Sequence, residues 1–460
     1  MTLSNSTAAW RAADAAHHLH PFTNTRELNA RGPRVIVSAK GVHLTDSEGN
    51  RILDGMAGLW CASVGFGRDE IADAVAAQLK ELTFYNTFFN TTHPPMVELS
   101  RALAEVTPPQ FNRFFFTGSG SESNDTILKL VTYYWELMEQ PERRIFVSRR
   151  GGYHGSTVAT AALGGFGGMH KMHGVPVGNI FHAPAPSWWD QGGDLSPEAF
   201  GLKIAHDTLS LIDGIGANRV AAFIGEPIMG AGGVIIPPST YWPALSGGLK
   251  ERGVLLISDE VICGFGRTGQ WFGCETMGTE PDLMTMAKGL TAGYVPMGAV
   301  AVSDRVANVL LEKGGEFAHG YTYSGHPAAC AAALATLNIM HREKLVERVR
   351  DDIGPYLQTK WATLADHPLV GQAVMTGMIG AMQLTADKSS RQGFGDKAGV
   401  GMICREHSFN NGLIMRAVGE RMVIAPPLVL THAEAEEIMD KVHRTLDMTL
   451  GSLKANGLVA

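Results

Sequence analysis

The spacing of apolar and polar positions changes character along the chain. Val35-Ile36-Val37, Val42-His43-Leu44 and Arg51-Ile52-Leu53-Asp54 read as short strands, with Asp46-Ser47-Glu48-Gly49-Asn50 as the turn before the third. Together they predict a small antiparallel meander. From about residue 66 to 329, apolar runs at 113–117, 144–148, 219–225, 253–259, 283–287 and 297–303 alternate with amphipathic stretches at 121–138, 197–213 and 239–252. Short continuous apolar strands separated by helices predict a mostly parallel central sheet flanked by helices. Beyond His326 an Ala-rich helix to about 341, a helix over 345–364, a strand-rich patch and a final helix over 431–450 predict a smaller α+β domain. The meander is its expected partner, which makes that domain discontinuous. The division is 1–65 for an arm and part of the small domain, 66–329 for a large domain and 330–460 for the rest of the small one. In parallel sheets ligands bind at the loops after the carboxyl ends of strands, and the search for chemistry starts there.

Composition narrows the picture. Charged residues make up 18% and hydrophobic residues 45%, a globular balance. With 38 basic against 45 acidic side chains the net charge is −7, which gives no footprint for a polyanion, so nucleic acid is not an expected partner. The chain holds 54 glycines in 460 residues, well above the ~7% average, without collagen periodicity. That excess fits tight turns and close backbone approach to a ligand. Five scattered cysteines with no CxxC argue against a disulfide framework or a zinc site, so no metal is expected. The first residues lack a signal-peptide pattern, and no apolar run is long enough to span a membrane. A soluble, cytoplasmic enzyme is the expectation.

Several strand ends carry candidate chemistry. Thr117-Gly118-Ser119-Gly120-Ser121-Glu122 joins a strand to a helix, and its small residues suit a phosphate at a helix N-terminus. A flexible turn with a serine cap explains it equally well. Asp259 ends the run 255–259 and can hold a protonated ring nitrogen, or simply face solvent in a loop. Lys288 follows the run 283–287 and precedes Gly289; it is either a snorkelling surface cation or a desolvated amine able to form a Schiff base. Gly264-Phe265-Gly266-Arg267-Thr268-Gly269 matches a dinucleotide fingerprint, but five residues (259–263) separate it from the strand and a poor helix start follows, so it reads as a Gly-rich loop.

Taken in order, a phosphate loop, Tyr153-His154-Gly155, a strand-end Asp and a later strand-end Lys are what pyridoxal phosphate requires. The sequence resembles the class III (omega) aminotransferases of fold type I from about residue 10 to the end. The matching stretches include His17-His18-Leu19-His20-Pro21-Phe22, Asp54-Gly55-Met56-Ala57-Gly58-Leu59-Trp60, Tyr85-Asn86-Thr87-Phe88-Phe89 and Gly225-Glu226-Pro227-Ile228. They continue with the run from Asp259 to Gly269, Ala287-Lys288-Gly289, and Gly320-Tyr321-Thr322-Tyr323-Ser324-Gly325-His326-Pro327. Within the class the likeness is greatest to amine:pyruvate transaminases, Leu413-Ile414-Met415-Arg416 included.

The resemblance implies a pyridoxal 5'-phosphate transaminase that passes through the pyridoxamine 5'-phosphate form and moves an amino group from a primary amine to pyruvate or a similar keto acid. It implies that Lys288 holds the cofactor and shuttles the proton, and that Asp259 pairs with the pyridinium nitrogen. Val261 and Tyr153 would face the ring from opposite sides, Gly120 and Ser121 would bind phosphate, and Glu226 would support the network. Tyr321 and Thr322 would complete the site from a neighbouring subunit, so a homodimer with shared sites, or a tetramer, is expected. Phe22, Leu59, Trp60, Tyr153 and Ala231 would line the substrate pocket with Phe88 from across the dimer, and Arg416 would bind a keto-acid carboxylate. An aminomutase, a decarboxylating transaminase, or specificity for taurine, β-alanine or a polyamine stays open.

Overall fold

In the computed structural model, residues 6–173, 178–395 and 398–459 are described. A seven-stranded sheet forms the centre. From edge to edge it runs Phe111–Thr117, Gly298–Ser303, Leu283–Met286, Leu255–Asp259, Val220–Gly225, Ile145–Arg149 and Ile180–Ala183. Gly298–Ser303 is antiparallel to both of its neighbours, while the remaining pairs are parallel. The inner strands are apolar on both faces because helices cover both. Phe146, Ala222, Ile224, Leu255 and Ile257 pack with Ile127, Leu130 and Val131 of the helix Gly120–Leu137. The alternate positions Ile145, Val147, Phe223 and Leu256 pack with Phe200, Ile204, Tyr241 and Leu245 on the other side. The two-residue period of a strand thus feeds two separate apolar layers.

The meander forms Ile36–Lys40, His43–Asp46 and Arg51–Asp54. Its last strand pairs in parallel with Leu413–Ile414, so chain ends far apart in sequence share one sheet. A third sheet joins Val370–Thr376, Ile379–Leu384, Arg421–Ile424 and Arg416–Val418. The Ala-rich helix is Pro327–Arg342 and the last helix is His432–Ala455, opened by a capping box of Thr431 and Glu434. The expected helix over 345–364 is instead three pieces: Leu345–Asp351, Ile353–Ala362 and a short 3-10 turn at Thr363–Asp366. Gly354 and Pro355 account for the first break. Pro355 has no N–H to donate to the Asp351 carbonyl and its ring crowds that carbonyl, while Gly354 fits where a Cβ would lie 2.0 Å from the Val349 carbonyl oxygen. No helix among the described residues is long and apolar enough to cross a membrane.

Candidate active site

Three neighbouring parallel strands end at one edge of the sheet. Their register sets Asp259 opposite Thr285 and Gly225 opposite Ser258. Asp259, Glu226 just past Gly225, and Lys288 two residues past Met286 therefore emerge together. They line a cavity of about 370 Å³ whose walls also include Gly120, Ser121, Tyr153 and Val261.

The cavity floor is a buried hydrogen-bond network. Asp259 is 3% exposed. Its Oδ2 accepts from Asn124 Nδ2 at 2.9 Å and lies 2.7 Å from His154 Nδ1, while Oδ1 accepts from the Val261 N–H at 3.2 Å. Burial alone would raise this carboxyl's pKa, but His154, Asn124 and the Val261 amide outweigh it and hold the pKa below the usual range. Asp259 is therefore held as a carboxylate although it is buried. Glu226 accepts from the Tyr153 N–H at 3.1 Å and the Gly230 N–H at 2.8 Å, and burial pushes its pKa up. Lys288 is shifted in the opposite direction to an exposed lysine's stability as a cation: burial lowers its pKa, against the pull of Cys61, Asp259 and Glu226. Its backbone adopts φ 44°, a left-handed geometry costly for a residue with a Cβ.

The end of the cavity at the Gly118–Ser121 turn is shaped by glycine. A Cβ at Gly120 would stand 2.9 Å from Val261 Cγ2 and 3.6 Å from the Ala287 Cβ. Ser119 caps the helix by accepting from the Glu122 N–H at 3.2 Å, which leaves the first amides of the helix directed outward. Ser121 Oγ accepts from the Ser156 N–H at 3.1 Å, tying this turn to the loop that carries Tyr153.

Trp60 is buried at φ 61°. Lys288 Nζ and the Arg416 guanidinium each lie 5.2 Å from its ring centre. Burial lowers the Arg416 pKa. Ala231 is buried in the loop that Glu226 anchors through Gly230, outside the cavity walls. Phe22 and Leu59 are 81% and 54% exposed. Phe88 packs instead on the backbone at Gly320, where a Cβ would meet its ring at 2.6 Å, so it neighbours Tyr321 and the exposed Thr322. These last residues lie away from the cavity walls of the single chain.

Two participants escaped the sequence reading. Asn124 was not singled out, and His154 was noted only within its motif. Helical spacing offered a signal for Asn124, since it sits three positions after Ser121 on one helix face. The Gly264–Gly269 loop is no dinucleotide site: the helix after it is the five-residue Gly273–Met277. Buried Glu260 holds the start of that helix by accepting from the Gly273 and Cys274 N–H groups at 2.8 and 2.6 Å.

The cavity suits pyridoxal phosphate, because a fixed carboxylate, a partly dehydrated amine and a glycine-lined helix start surround a space of the right size. The fold and this site define a fold type I pyridoxal-phosphate-dependent transferase. The Aminotransferase class-III family matches residues 26–446, and the chain belongs to that family. It is 52% identical over 449 residues to the putrescine–pyruvate aminotransferase of Pseudomonas aeruginosa, covering 98% of both chains. Among solved structures, an (S)-enantioselective omega-transaminase from Thermomicrobium roseum superposes with a TM-score of 0.94 at 41% identity, over 97% of this chain and 99% of that one. The omega-transaminase of Pseudomonas jessenii in complex with PMP also scores 0.94, at 37% identity over 96% and 99%.

Proposed function

We propose that this enzyme transfers an amino group from a small aliphatic amine or diamine to pyruvate in two half-reactions. Bound pyridoxal phosphate supplies an electron sink for the charge left when a substrate proton departs. Asp259 would pair with the ring nitrogen and keep it protonated. Lys288 anchors the cofactor in the resting enzyme, and its lowered pKa lets the free amine accept and return the proton during turnover. Val261 and Tyr153 would pack against the ring, Gly120 and Ser121 would hold the phosphate, and Glu226 fixes the Tyr153 backbone. Arg416, resting on Trp60, binds the keto-acid carboxylate. Phe22, Leu59, Phe88 and Ala231, all outside the cavity walls of one chain, would complete an apolar pocket once two copies are joined.

The reading includes a homodimer in which Tyr321 and Thr322 finish the partner's phosphate site. It takes 66–329 as the cofactor domain, with the two ends joined as the small domain through Leu413–Ile414. The five cysteines are unpaired, which suits a cytoplasmic location. The observation that carries the reading is the convergence of Lys288 and Asp259 on one cavity.

Single-turnover spectra test it with an amine panel, then with pyruvate. Putrescine is expected to convert the pyridoxal form and pyruvate to restore it. In Arg416→Ala the pyruvate step should slow roughly 10- to 1000-fold, through loss of up to two charge-assisted hydrogen bonds. The amine step should change much less. Equal losses in both steps would reassign Arg416 to a structural role.

A further inference from the structure

His319 lies outside the cavity walls, yet it joins the strand and the helix on either side of the Gly118–Ser121 turn. It belongs to the irregular segment before the helix Pro327–Arg342, a segment that also carries Tyr321 and Thr322. Its ring stacks on Phe115 with centroids 5.6 Å apart and planes 13° from parallel. Phe115 is in the strand Phe111–Thr117, which leads directly into the Gly118–Ser121 turn. On the other side, Nε2 is 2.9 Å from Thr126 Oγ1 and Nδ1 is 3.2 Å from Lys129 Nζ, both in the helix that starts at Gly120.

Donor counting sets the direction of this chain. Thr126 is buried, and its hydroxyl donates to the Glu122 carbonyl at 2.8 Å. It must therefore accept from His319, so the proton sits on Nε2 and Nδ1 accepts from the Lys129 ammonium. Burial and Lys129 both lower the pKa of His319, which keeps this neutral tautomer. The Tyr321 hydroxyl donates to the same Glu122 carbonyl at 3.2 Å. His319 and Tyr321 thus grip the first three turns of one helix, three residues before and one residue before Thr322.

We propose that His319 is a positioning residue for cofactor phosphate, clamping the segment that carries Tyr321 and Thr322 onto the strand and helix that form the Gly120–Ser121 turn. This rests on the reading above that Gly120 and Ser121 bind phosphate in one subunit while Thr322 binds it in the next. The clamp makes one rigid body of a subunit's own phosphate turn and the segment it lends to its partner. Losing it loosens the hold on phosphate without touching the groups that move protons.

The test uses the holoenzyme converted by an amine to the pyridoxamine phosphate form, whose cofactor has no covalent tether. Release is followed by dialysis, and turnover is measured separately at saturating pyridoxal phosphate. His319→Leu should release cofactor roughly tenfold faster, as expected for losing one or two hydrogen bonds, with kcat nearly unchanged. His319→Gln retains a donor near the Nε2 position and should fall between wild type and His319→Leu. Thr126→Val breaks the same link from the other end, and the double variant should be no worse than the poorer single one. Binding of pyridoxal, which has no phosphate, should be the same in all of them. Unchanged release in His319→Leu, or an equal loss of pyridoxal binding, would overturn the clamp. Thr322→Ala separates the two levels. Faster release there with unchanged release in His319→Leu defeats the clamp alone, whereas unchanged release in both also defeats the phosphate role of Thr322.

Discussion

Asp259 and Glu260 are adjacent, equally hidden carboxyls with opposite fates. Asp259 is ringed by donors that hold it ionised, whereas burial pushes Glu260 up to about 7 even though it accepts from two backbone amides and Ser258. The folded chain therefore keeps a proton on Glu260 at pH values where the unfolded chain has released it. Stability linked to this group is greatest below its ordinary range near 4.5 and falls as pH rises toward about 7, by about 3 kcal/mol at most. Thermal unfolding across that window should show wild type losing ground to Glu260→Gln as pH rises; parallel curves would mean the carboxyl ionises normally. Lys288 and Asp259 were legible in sequence because each ends an apolar run. The donors to Asp259 were not, since Asn124 lies 135 positions away and His154 lies 105. Only a folded sheet brings such partners together.

At the scale of elements, the turn from Thr117 to Ser121 closes against Val261 and Ala287 because Gly120 carries no side chain. In Gly120→Ala the new methyl presses on the Val261 side chain, and either Val261 or the first helical turn must move by several tenths of an ångström. Cofactor affinity should fall at least about tenfold, the equivalent of ~1.4 kcal/mol, while far-ultraviolet circular dichroism stays native. Normal cofactor affinity would place the phosphate elsewhere. Periodicity located this helix to within a residue, 121–138 against the observed Gly120–Leu137. It overran the break at Asp352 because an apolar face continues through Ile353 and Leu357.

At the scale of the molecule, the chain leaves large apolar side chains uncovered: Phe22 at 81%, Tyr85 at 51%, Phe89 at 88% and Tyr323 at 66%. A second copy of this chain is the partner that the proposed shared site would set against such aromatics. Mixing Lys288→Ala and Thr322→Ala chains should yield dimers in which one site collects both defects and the other is intact. Activity should therefore rise above either parent; no rise would count against cross-subunit phosphate binding. The alternation of strands and helices foretold a mostly parallel sheet. The position of Gly298–Ser303, running antiparallel between Phe111–Thr117 and Leu283–Met286, was not legible, because pairing partners leave no mark in local pattern.

The left-handed backbone at Lys288 has a practical outcome for protein chemists. A side chain at φ 44° works against its own Cβ, and glycine alone sits there at ease. Lys288→Gly should thus fold more readily than Lys288→Ala, and it opens a slot the size of a butylamine group beside the cofactor. Short primary amines added to the buffer should enter that slot and revive part of the lost turnover. Their potency would follow basicity and length, turning the proposed proton-carrying amine into a replaceable reagent. If no amine restores activity, the side chain supplies more than its nitrogen.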